Sequence, residues 1–117
     1  MVTTDIKLTH ELHVIRAHQL HYTSLLDDFA QHINFIMESS NPMLNNSRFT
    51  DENRTYSRDT MRSECRNLLI EVERLKRGLR MQQKRLTNVM GLVCSFSLLQ
   101  SKFDGFNEFD NFRCLAV

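Results

Sequence analysis

The chain has 117 residues, 41% of them hydrophobic and 25% charged, with a formal net charge of +1. That length suits one ordinary domain, and that composition excludes a disordered acidic or basic tail. With three Gly and one Pro, a turn-rich β-sandwich is excluded and long helices are favoured.

The first segment, about residues 4–39, reads as a helix. Its apolar residues are Leu8, Leu12, Ile15, Tyr22, Leu26, Phe29, Ile33 and Ile36. With Gln19 included they alternate in steps of four and three, the repeat of a helix that pairs along one seam. Thr4 and Asp5 supply capping side chains at its start. Pro42 ends it, because the ring disfavours the α conformation at Asn41. About 35 residues of helix span about 50 Å.

Residues 40–55, SNPMLNNSRFTDENRT, form a polar connector. The second segment, about residues 56–101, again reads as helix. Its seam is Met61, Cys65, Leu68, Val72, Leu75, Leu79, Gln82, Leu86, Val89 and Val93. Gly78 falls inside it at a cost of about 1 kcal/mol, without breaking it.

The two seams fit an antiparallel pairing. Ile33 then faces Cys65, Leu26 faces Val72, Gln19 faces Leu79 and Leu12 faces Leu86. Gln19 and Gln82 fall in adjacent layers, where a hydrogen bond between them would help to fix register. The expected fold is all-α: a long antiparallel, coiled-coil-like helical hairpin over residues 4–101, followed by a tail at 102–117. The tail carries Phe103, Phe106, Phe109 and Phe112 at intervals of three. Apolar residues off both seams, among them Ile6, Val14, Leu20, Leu69, Ile70, Met81, Met90 and Leu92, suggest a third layer supplied by another chain or segment.

Charge is unevenly spread. Between Asp5 and Glu38 five acids stand against Lys7 and Arg16, and between Arg54 and Arg85 ten bases stand against four acids. Attraction between the paired helices accounts for this. No aromatic is interleaved in the basic stretch from Arg74 to Arg85 for base stacking, so no nucleic-acid partner is expected.

Chemistry-bearing patterns are sparse. His10 and His13, and His18 and His21, are spaced to share a helix face, but no Cys or carboxylate set completes a recognised metal site. His32 stands alone. Cys65, Cys94 and Cys114 contain no CxxC and suit a reducing compartment. There is no Gly-rich phosphate loop and no GxSxG. No enzyme, no metal, no cofactor and no catalytic residue is expected. No signal peptide is visible, and the most apolar run, Leu86–Leu99, is too short and too polar to cross a bilayer. A cytoplasmic location is expected of the chain as it stands.

The stretches ELHVIRAHQLHYTSLLDDFAQHINFIMESSNPML and ECRNLLIEVERLKRGLRMQQKRLTNVMGLV resemble the paired cytosolic helices of fungal CorA-like magnesium transporter proteins. The likeness runs over roughly residues 8–93. It rests on the Asn41-Pro42 turn, on Glu64-Cys65 and Asn67-Leu68-Leu69, and on the Met81–Met90 pattern. It implies the cytosolic helical part of such a transporter, magnesium as its ion, and a membrane location for a full-length relative. The family's two membrane helices and its Gly-Met-Asn pore signature are not in this sequence, so the implied role is that of a truncated, non-transporting fragment. The expected partners are a second copy or a longer CorA-like chain. The alternative is a freestanding coiled-coil interaction module.

Overall fold

A computed structural model describes residues 2–104; the Phe-rich stretch beyond lies outside the described residues. Helix α1 spans Val2–Glu38, a 3-10 turn spans Pro42–Asn45, and helix α2 spans Asp51–Asp104. The fold is an all-α helical hairpin. Among the described residues there is no strand, and no helix is long and apolar enough to cross a membrane.

The chain forms two compact units, Met1–His21 with Leu79–Val117, and Tyr22–Gly78. The Tyr22–Gly78 unit holds the turn. Its core is Ile33, Cys65 and Val72, with Leu26, Ala30, Met37 and Leu69 packed against them. On both helices these residues step by four and three, the repeat that keeps one seam facing a partner helix.

Local chemistry explains the turn. Asn41 is extended, with φ −81° and ψ 113°, and its side chain accepts a hydrogen bond from the Met43 N–H at 3.0 Å. Pro42 occupies the first helical position, where a missing N–H costs nothing. The Asn46 side chain accepts from the Arg48 N–H at 3.2 Å, and the Asn46 carbonyl accepts from Arg54 Nη2 at 3.0 Å.

Helix α2 begins five residues before the expected Tyr56 start. Thr50 is the reason: its Oγ1 accepts from the Asn53 N–H at 3.3 Å. Asp51 and Glu52 fill the first turn, where carboxylates meet the positive end of the helix. A run of polar residues that reads as loop is here a helix cap.

In the other unit, Leu12 and Met90 are the buried apolar side chains among the described residues. Thr9, Arg16 and Gln19 on α1, and Leu79, Gln83, Leu86 and Val93 on α2, are half-buried. Arg16, Gln19, Leu20, Gln83, Leu86 and Thr87 line a surface cavity of about 210 Å³. Gln83 therefore shares a cavity with Gln19, while Gln82, the expected partner, is exposed.

Candidate helix-docking surface

Each seam read from the sequence consists of two rows, and the structure treats the rows differently. The row Leu12, Gln19, Leu26, Ile33 on α1 is buried or half-buried. So is the row Cys65, Leu79, Leu86, Val93 with Val72 on α2. The companion rows point outward. Leu8, Ile15, Tyr22, Phe29 and Ile36 are exposed, and so are Met61, Leu68, Leu75, Gln82 and Val89.

The places next to the buried rows are taken by other residues. On α1 these are Thr9, Arg16, Thr23, Ala30 and Met37; on α2 they are Leu69, Lys76, Gln83 and Met90. Neighbouring helix positions point about 100° apart, so replacing Phe29 by Ala30 in the seam, and Leu68 by Leu69, turns each helix about its own axis. The alternation of four and three survives because both choices share one row.

An ion pair identifies the two edges of the Tyr22–Gly78 pair. Lys76 Nζ lies 2.6 Å from Asp27 Oδ1 and 3.6 Å from Glu73 Oε1. Asp27 and Glu73 each follow a buried row by one position, so that edge is charged. The hydrogen bond from Lys76 to Asp27, reinforced by the charges of Asp27 and Glu73, holds the Lys76 ammonium above the ordinary lysine range against the opposing effect of desolvation. The expected pairing sets Glu71 opposite Asp27, so the contact reaches a residue five positions further along α2.

In an antiparallel helix pair, positions that precede the seam on one helix share an edge with those that precede it on the other. Tyr22, Phe29 and Ile36 are such positions on α1, and Met61, Leu68 and Leu75 on α2. They therefore form the second edge. All six are large and apolar or aromatic, and each is 46–54% exposed. In the other unit the same positions hold Leu8, Ile15 and Val89, 42–47% exposed, and the polar Gln82, also exposed. The helices of the Tyr22–Gly78 unit thus have one charged edge and one apolar edge.

Among the described residues no group of three or more His, Cys, Asp or Glu is placed to hold a metal ion. Cys65 is buried in the core and Cys94 is half-buried, both as free thiols. Within the basic stretch, Arg74 Nη2 pairs with Glu71 Oε2 at 2.8 Å, and Lys76 pairs across the hairpin. Sequence reasoning missed Lys76 as a seam residue because a lysine in a seam looks like an error until its carboxylate partner is known.

The sequence matches no protein-family model, and no curated protein or solved structure is significantly similar to it.

Proposed function

We propose that this chain is a non-catalytic helical-hairpin module that acts by laying its apolar edge against another helical element. The observation that carries this reading is the set of six side chains on that edge, all large, all apolar or aromatic and all about half exposed. Scattered exposed apolar residues are normal on a protein surface, but a contiguous set of this kind marks an interaction site. The docked element supplies the third layer, and burial of the edge drives the association.

A second reading is favoured by the turn and by the unbroken second helix. The Asn41-Pro42 pair ends α1, and α2 runs without a break through the Met81–Met90 pattern. Those are the features that resemble the cytosolic helices of CorA-like magnesium transporters. On that reading the docked element belongs to a longer CorA-like chain, and magnesium enters through that chain alone.

Photo-crosslinking in cells tests both. A photoreactive residue placed at Leu68 is expected to give an adduct, and one at Arg66, on the charged edge, is expected to give none. An adduct with a longer chain bearing two apolar spans and a Gly-Met-Asn string supports the CorA-like reading. Absence of any adduct from both Leu68 and Phe29 would overturn the module reading.

A further inference from the structure

We infer that the element covering the apolar edge is a second copy of this chain, so that two hairpins meet edge to edge as a twofold four-helix assembly; this rests on the module reading above. Three observations on the Tyr22–Gly78 unit support it.

The first is size. Six large side chains, each about half exposed, present on the order of 500 Å² per copy. With all of it covered, two copies bury about 1,000 Å², the size of a weak, reversible interface.

The second is the absence of charge at the centre. Tyr22, Phe29, Ile36, Met61, Leu68 and Leu75 include no ionisable acid or base at neutral pH. A twofold contact sets a surface against itself, and any fixed charge at its centre would meet its own like. This edge meets itself without that cost, whereas the opposite edge, with Asp27 and Glu73, does not.

The third is the rim. Glu64 and Glu71 lie next outward from the apolar row on α2, and Glu71 is held by Arg74 at 2.8 Å. On α1 the corresponding positions are Leu25 and His32. With Glu71 balanced by Arg74, this rim carries little net charge. It is compatible with α1 of a second copy, which presents Leu25 and His32 there.

Sedimentation equilibrium of the full chain over a wide concentration range tests the inference. The expected result is a reversible dimer of twice the 13.8 kDa chain mass. Phe29→Asp with Leu68→Asp is expected to weaken dimerisation by about 30-fold or more, with far-UV helicity retained because both sites are half exposed. If that variant loses helicity, the milder Ile36→Asn with Leu75→Asn serves in its place. Asn34→Asp, on the charged edge, is expected to leave the dimer unchanged.

A chain that stays monomeric throughout overturns the inference. If it dimerises only after Phe106, Phe109 and Phe112 are changed to serine, the chain's own C-terminal segment is the occupant instead. A dimer indifferent to Phe29→Asp with Leu68→Asp uses another surface, which also overturns it. Crosslinking from Leu68 to a different protein, with the chain itself monomeric, removes self-pairing and leaves the module reading standing.

Discussion

Replacing Ile33 with alanine is expected to lower the unfolding free energy by about 3 kcal/mol, and replacing Ile36 with alanine by about 1 kcal/mol or less. Both are isoleucines of α1 that the hydrophobic repeat assigns to one seam. Their surroundings differ. Ile33 is 3% exposed and packs in a core with Cys65 and Val72. Truncating it removes buried methyl groups and leaves a cavity between two helices that do not close over it freely. Ile36 is 50% exposed and loses half as much apolar contact, with no cavity. Urea unfolding followed by circular dichroism, at a concentration too low for self-association, measures both. Equal losses would mean that α1 is turned about its axis from the placement described above.

Gly78→Ala is expected to stabilise the chain by about 1 kcal/mol. Gly78 lies inside α2, more than twenty residues from either end. A Cβ built there meets nothing within 4 Å, so the methyl group causes no clash. The gain comes from the unfolded chain, which loses the extra backbone freedom of glycine. Thermal melting compared with the parent chain gives the sign. A lower melting temperature would mean that something packs against that position in solution, the apolar edge lying one helical turn away at Leu75.

Much of the fold is legible in the sequence, because a repeat of four and three over many turns has few other outcomes. Two helices and their antiparallel order follow from it, and the Asn41-Pro42 stop follows from the proline ring. The start of α2 is harder to read. Thr50, Asp51, Glu52 and Asn53 have the composition of a loop, and only the hydrogen bond from the Asn53 N–H to Thr50 identifies a cap. The rotation of each helix about its axis is harder still.

Each helix has two apolar rows flanking a shared one, and a seam chosen by hydrophobicity takes the richer pair. Leu8, Ile15, Tyr22, Phe29 and Ile36 are richer than Thr9, Arg16, Thr23, Ala30 and Met37. The structure turns the poorer row inward. Two features make that choice workable. Ala30 lets the helices approach at the core, and Lys76 buries its stem in the seam while its ammonium reaches Asp27. Neither signal has a period, so neither can be found by counting apolar residues. The docking edge is legible only after this rotation is known, because the residues that form it are those the sequence assigns to the inside.

Methionine oxidation tests that rotation most directly. Met61 belongs to the seam expected from sequence, and Met90 lies outside it; the structure leaves Met61 48% exposed and Met90 3% exposed. Oxidation of a thioether follows its exposure. Mild peroxide treatment of the dilute chain, read by peptide mass spectrometry, is expected to convert Met61 to its sulfoxide well before Met90. Faster conversion of Met90 than of Met61 would contradict the rotation of α2 described above, and with it the apolar edge on which the proposed function depends.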